Sequence, residues 1–258
     1  MRIIKHICFL EVIDMYQNYV FDLYGTLIDI RTDESGDVFW SKVVDIYKSH
    51  GAEYTAKELR DYYYRYAKSE KIRTQFMHPF YSHIEIDLVR VFRKLYLRKN
   101  IDPTKEIICD TAVRFRKAST EFIKLYDGVV DLLQSLKAAN KKVYLLSNAQ
   151  RCFTVPELEE LDLIKYFDGI FISSDCACSK PGKHFFEKLI KHYNLDKSKT
   201  VMIGNDCISD IMGAHEVGID SLYIHQEIST PLEGHKLYSN YSVMDGDVTK
   251  IKGYVLKA

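Results

Sequence analysis

The stretch Tyr19-Val-Phe-Asp-Leu-Tyr-Gly-Thr-Leu27 decides the fold. Its first six residues form a β-rich apolar run that halts at Gly25-Thr26, the pattern of a buried strand feeding a tight loop. Comparable short runs recur at Lys142–Ser147, 169–173, Thr200–Gly204 and 221–224. Amphipathic stretches at 128–139, 156–166, 182–193 and 209–217 read as helices between and after them. Strands alternating with helices of this length predict βαβ units and a parallel sheet. The runs are almost continuously apolar, as strands covered by helices on both faces must be. The expected class is α/β.

Between about Arg31 and Leu125 the rhythm breaks. Only long helical patterns occur there, at 38–49, 55–73, 84–99 and 105–124, and Thr55-Ala-Lys-Glu58 has the form of a capping box. The spacing predicts an all-helical insert over residues 31–125, lodged after the first strand, with residues 1–30 and 126–258 sharing the α/β core. The insert carries 19 Lys+Arg against 14 Asp+Glu, and the remainder 17 against 22, so a neutral total conceals two oppositely charged lobes. That asymmetry reads either as solvated helix faces or as a field drawing an anionic substrate toward a cleft.

Composition narrows the classes further. The 258 residues hold 36 basic and 36 acidic side chains and are 47% apolar, which excludes wholesale disorder and gives no basic excess for nucleic acid. No apolar run is long enough to span a bilayer. Residues 1–14 begin basic and then apolar, but Lys5, His6 and Glu11 interrupt them and no small-residue cleavage site follows. They are expected to be a dispensable extension of a cytoplasmic protein. The six cysteines, Cys8, Cys109, Cys152, Cys176, Cys178 and Cys207, form no compact framework and read as reduced thiols. Cys176-Ala-Cys178 lacks a second pair to make a metal site.

Four short motifs fall at the ends of predicted strands, the edge of an open parallel sheet where ligands bind. Asp22 is followed by Gly25, where backbone can approach an anion, although an Asp there also suits a turn. Ser147-Asn148 offers a hydroxyl and an amide for anion oxygens, or ordinary loop chemistry. Lys180-Pro181 precedes a helix, with Pro181 suited to its first turn; a loop Lys is normally solvated, but one beside a carboxylate could stabilise developing charge. Asp206 and Asp210, four apart at a strand-to-helix junction, could point at one hard cation or complement a helix dipole.

Taken in order, Asp22, Ser147, Lys180 and Asp206-x-x-x-Asp210 resemble the motif set of the haloacid dehalogenase-like (HAD) hydrolase superfamily. The match covers residues 17–30 and 126–225, and the helical insert resembles the superfamily's C1-type cap. The resemblance implies a Rossmann-like doubly wound parallel sheet with Asp22 as nucleophile, forming an aspartyl-enzyme that water hydrolyses. It implies Mg²⁺ held by the Asp22 carboxylate, the Tyr24 backbone carbonyl and Asp206, with Asp210 in support. Ser147 and the backbone N–H of Asn148 would bind phosphoryl oxygens, and Lys180 would pair with Asp22 and substrate.

Position 24 departs from the phosphatase pattern, where an Asp supplies general acid–base catalysis; a phenol is poorly matched to proton transfer at neutral pH. Tyr there resembles the metal-independent 2-haloacid dehalogenases, whereas retaining both Asp206 and Asp210 resembles the Mg²⁺-dependent phosphohydrolases. Two carboxylates aimed at one spot call for a cation, so the reading is a Mg²⁺-dependent phosphohydrolase of a small phosphorylated metabolite. A dehalogenase and a weakly catalytic phospho-ligand binder are the alternatives. The expected partner is a small anionic molecule, with no nucleic acid or membrane, and no heptad seam asks for more than a monomer or homodimer. Tyr62-Tyr-Tyr-Arg-Tyr66 and the series Arg60, Arg65, Lys68, Lys71, Arg73 could choose the substrate or pack the insert. Cys152 and Cys207, close to two of the motifs, are candidates for oxidative inactivation.

Overall fold

The structure, a computed structural model, describes residues 16–255; the N-terminal extension expected at 1–14, with Cys8, lies outside them. In chain order the strands are β1 (Asn18–Phe21), β2 (Ile28–Thr32), β3 (Thr120–Leu125), β4 (Lys142–Ser147), β5 (Gly169–Ile172), β6 (Thr200–Gly204), β7 (Asp220–Ile224) and β8 (Tyr241–Val243). The α-helices are α1 (Asp37–Ser49), α2 (Ala56–Met77), α3 (Leu88–Arg98), α4 (Lys105–Ser119), α5 (Val129–Ala138), α6 (Arg151–Glu160), α7 (Ser173–Cys176), α8 (Lys183–Tyr193), α9 (Gly213–Val217) and α10 (Thr249–Val255). A π-helical turn at Cys207–Met212 leads into α9. Among the described residues no helix is long and apolar enough to cross a membrane.

Six strands form one sheet in the order β5-β4-β1-β6-β7-β8, and every pairing is parallel. The α/β class is as the sequence predicts. Because side chains alternate across a strand, successive residues serve opposite layers. Tyr19, Phe21, Val143, Leu145, Val201 and Ile203 pack with Leu132, Leu133 and Leu136 of α5 and Ile251 of α10. Val20, Tyr144, Leu146 and Met202 face the other way, toward Phe185, Phe186 and Leu189 of α8 and Ala214 of α9. Two covered faces explain why these strands read as unbroken apolar runs.

Helices α1–α4 enclose an aromatic core of their own, built on Trp40, Tyr47, Tyr63, Phe92, Tyr96 and Phe115. Thr55 caps α2 by accepting from the Glu58 N–H, half of the box its sequence suggests. Within the tyrosine cluster only Tyr63 is buried; Tyr64 is exposed, and Tyr62 lies beneath the Arg98 guanidinium.

Three expectations need correcting. The helix expected over 105–124 stops at Ser119, and 120–125 is a strand, antiparallel to β2. The Ser119 and Thr120 hydroxyls donate back to the Arg116 carbonyl, closing the helix there, and β2 supplies the pairing. A ribbon, not a helix end, therefore joins the helical block to the sheet. The helix expected from 156 begins at Arg151 and runs through Pro156: Phe153 stacks on Phe115 with ring centroids 6.0 Å apart, and that packing outweighs the proline's missing N–H. Pro181 is outside the helix it was expected to open, since α8 starts at Lys183 after Gly182.

Phe115 meets Phe39, Trp40, Tyr63, Phe92 and Phe153. Phe115→Ala is expected to lower stability by about 3–5 kcal/mol, read as a lower urea midpoint with the unfolding slope unchanged.

Candidate active site

Asp22 directly follows β1, and its N–H donates to the Ile203 carbonyl at 2.9 Å, continuing the ladder with β6. The central strand thus carries the carboxylate to the sheet's C-terminal edge. Gly25 turns the chain immediately afterwards with φ +82°. A Cβ there would lie 2.4 Å from Asn205 Nδ2, so the loop needs glycine for both conformation and room.

Lys180 reaches the same point from the loop before α8. Its ammonium donates to Asp22 Oδ1 at 2.6 Å and to Asp210 Oδ1 at 2.7 Å, with all three side chains nearly sealed from solvent. The backbone of Lys180 is clamped by the Asn148 side chain. Lys180 N–H donates to Asn148 Oδ1 at 2.8 Å, and Asn148 Nδ2 donates to the Lys180 carbonyl at 2.9 Å. This side-chain duty of Asn148 is one the sequence did not indicate. The Ser147 hydroxyl, at the end of neighbouring β4, is buried and has no hydrogen-bond partner among the described residues. A hydroxyl in that state is costly unless something else meets it.

Asp210 enters from the π-helical turn. Its Oδ2 accepts from the Asp206 N–H at 3.0 Å, and a Cβ on Gly204 would fall 2.2 Å from that oxygen. Gly204 therefore leaves the space Asp210 occupies. Burial pushes the Asp210 carboxyl up, against the Lys180 ammonium and with help from the Asp22 charge. Asp206 caps the turn instead, its Oδ1 accepting from Ile208 N–H at 2.9 Å and Ser209 N–H at 2.6 Å, while the Thr230 hydroxyl donates to Oδ2. Burial raises the Asp206 carboxyl, but these donors outweigh it and hold it below the usual range.

The structure thus joins Asp22, Lys180 and Asp210 directly, holds Asn148 against the Lys180 backbone, and links Asp206 to Asp210 through its N–H. Among the described residues no three acidic, His or Cys side chains group closely enough to form a metal site alone. Magnesium does not need that, because it commonly binds through one or two carboxylates and keeps several waters. Asp22 and Asp210 set two carboxyl groups against the single Lys180 ammonium. The donor chemistry fits a hard divalent cation.

Tyr24 points elsewhere. Its hydroxyl donates to Glu157 Oε2 and lies 3.0 Å from Thr154 Oγ1, both on α6. Glu157 Oε1 accepts from Arg116 Nε at 2.6 Å. Burial and the Glu157 charge hold the phenol above its ordinary range. Nothing in the sequence around Arg116 or Glu157 signals this network, whereas Thr26, near Asp22 Oδ2 and Asn205 Oδ1, lies inside the Asp22–Leu27 motif.

The remaining candidates disperse. Arg60 pairs with Asp37 at the surface, and Lys68 and Lys71 border a shallow surface hollow. Arg73 lines a cavity of about 640 Å³ with His78, Glu85, Arg90 and Arg151, which none of Asp22, Ser147, Lys180 or Asp210 borders. Burial pushes the Cys152 thiol up to about 12 and raises that of Cys207, which disfavours the thiolate through which oxidation proceeds.

A family profile of haloacid dehalogenase-like hydrolases matches residues 16–218, and the chain belongs to that family. It is a hydrolase. Pyrimidine 5'-nucleotidase PynA of Streptococcus pneumoniae is 30% identical over 120 residues, covering 46% of this chain and 51% of that protein. Pyrimidine 5'-nucleotidase YjjG of Escherichia coli is 24% identical over 190 residues, covering 73% and 80%. The chain thus spans about half the length of the first relative and most of the second. Among solved structures, a 2-haloacid dehalogenase from Pseudomonas syringae superposes with a TM-score of 0.60 at 14% identity, over 93% of this chain and 98% of that one. The magnesium-bound HAD-hydrolase YfnB of Bacillus subtilis gives 0.53 at 16% identity, over 93% and 98%. At these identities the likeness is one of fold.

Lys180→Met would leave Asp22 and Asp210 facing each other without their counter-charge. The expected cost is about 3–5 kcal/mol at pH 7. Carboxyls whose folded-state pKa is raised regain stability as protons bind, so the deficit should shrink between pH 7 and pH 5 in paired urea titrations of variant and parent.

Proposed function

We propose that the chain is a Mg²⁺-dependent phosphohydrolase acting on a small phosphorylated metabolite, with Asp22 as nucleophile. The observation that carries this reading is the buried Lys180 ammonium held between Asp22 and Asp210 at the sheet edge, with the Ser147 hydroxyl, buried and without a partner among the described residues, at the end of the adjacent strand β4. In-line attack needs a carboxylate aimed at phosphorus, and the 2.6 Å bond from the Lys180 ammonium holds Asp22 Oδ1 in place. The P–O bond to the leaving group breaks as an Asp22 carboxylate oxygen bonds to phosphorus, and the departing alkoxide takes a proton from solvent water, which the released dihydrogen phosphate restores. Water then attacks phosphorus, returning Asp22 to its carboxylate and releasing phosphate that carries both of the water's protons. Ser147 donates to a phosphoryl oxygen, and Asn148 holds Lys180 at the charge that develops.

Mg²⁺, when bound by the Asp22 carboxylate, the Tyr24 carbonyl and Asp206 with Asp210 in support, offsets the repulsion between anionic nucleophile and anionic substrate. The nucleotidase names of two relatives support a phosphate ester as substrate, and place nucleoside monophosphates in the panel to be tried. Helices α1–α4, within residues 31–125, are proposed as a C1-type cap that covers the site and selects among substrates. Tyr24 favours the second reading, a 2-haloacid dehalogenase, because its engaged phenol supplies no leaving-group proton and a halide needs none.

Sugar phosphates, nucleotides, phosphoglycolate and haloacids, each with and without Mg²⁺, separate these readings. Phosphate release that EDTA abolishes and Mg²⁺ restores is expected. Asp22→Asn should lower it by roughly 10³-fold or more. Metal-independent chloride release from chloroacetate would establish the dehalogenase instead, and ligand-induced thermal stabilisation without turnover would establish a binding protein.

A further inference from the structure

Arg116, Glu157 and Tyr24 lie on three segments that meet nowhere in sequence: the last turn of α4, the middle of α6, and the loop two residues past Asp22. Glu157 bridges them, one carboxylate oxygen taking the Arg116 Nε–H at 2.6 Å and the other the Tyr24 hydroxyl. The Arg116 guanidinium also lies 5.5 Å from the ring centres of both Tyr24 and Phe153. Arg116 and Glu157 are largely buried, so the pair is only weakly screened.

The same segments are also joined through the backbone. From Arg116 the chain leaves α4, runs along β3, crosses the β3–β2 ladder and arrives at the loop carrying Tyr24. The side-chain bridge closes this path into a ring. A shift of α4 against α6 must therefore stretch either the Arg116–Glu157 pair or the Glu157–Tyr24 bond, and through the latter it pulls on the backbone beside Asp22.

We propose that Arg116 and Glu157 are positioning residues: they fix the Asp22–Leu27 loop through the Tyr24 hydroxyl, so that Asp22 is correctly aimed only while α4 is seated on α6. For catalysis this rests on Asp22 acting as the nucleophile; for the loop's order it rests on geometry alone.

The test uses the full chain with Glu157→Gln, Tyr24→Phe and the double variant, first confirmed folded by circular dichroism. The amides of Gly25, Leu27 and Ile28 are hydrogen-bonded within the loop, and in Glu157→Gln they should exchange with deuterium about tenfold faster while those of β4 keep their parental rates. With a turned-over phosphate ester, kcat should fall about tenfold at a KM within threefold of the parent's. The double variant should be no slower than the slower single one, because both break one connection. Loop exchange at the parental rate in Glu157→Gln overturns the proposal, as do single losses that multiply in the double variant. Phosphate release that survives Asp22→Asn would defeat the nucleophile assignment instead, and the exchange rates would still decide the loop's dependence on Glu157.

Discussion

An ammonium group withdrawn from water is tolerated only where carboxylates meet it, and Lys180 meets two. Its partners come from different places: Asp22 from the end of the central strand, Asp210 from the turn after β6. The other features of the site serve that meeting. Asn148 pins the Lys180 backbone from the end of β4, and Gly204 leaves room for the Asp210 carboxylate. Four loops at one sheet edge are thereby bound to a common centre, where two carboxyl groups face a single ammonium.

The parts of this arrangement that could be read in the sequence are those that the covalent chain itself specifies. Strands buried on both faces must be apolar throughout, so β4 and β6 were legible at their full length, and their termini marked Ser147 and the approach to Asp206. The carboxylates and the lysine were legible because they follow those strand ends in order. What escaped depends on partners distant in sequence. Thr120–Leu125 has a helical look until β2 is placed beside it. Pro156 looks like a helix start until Phe153 is seen stacked on Phe115. Tyr24 could be recognised as unusual from its position, but the reason its hydroxyl is occupied lies 133 residues away in Glu157.

The molecule also divides its apolar interior unequally between two jobs. The sheet's two layers are mainly aliphatic with tyrosine and phenylalanine at intervals, whereas the helical block is held by edge-to-face and stacked aromatic rings. Phe153, from α6 of the sheet-bearing part, inserts into that aromatic cluster. The helical block therefore does not merely hang on its ribbon. It is seated on the sheet-bearing part by an apolar plug at Phe153 and by an ion pair at Glu157, four residues apart on one helix face.

The antiparallel pairing of β2 with β3 sets the two backbone crossings side by side, separated by about 5 Å, the spacing of adjacent strands. Nearly ninety residues are thus spliced into the chain at what is, for the surrounding architecture, a single point. Lengthening, shortening or exchanging the helices between those crossings changes no distance that the parallel sheet must span. Such a graft could retain the ribbon and still misplace the loop after β1, unless the incoming helices also presented a cation to Glu157.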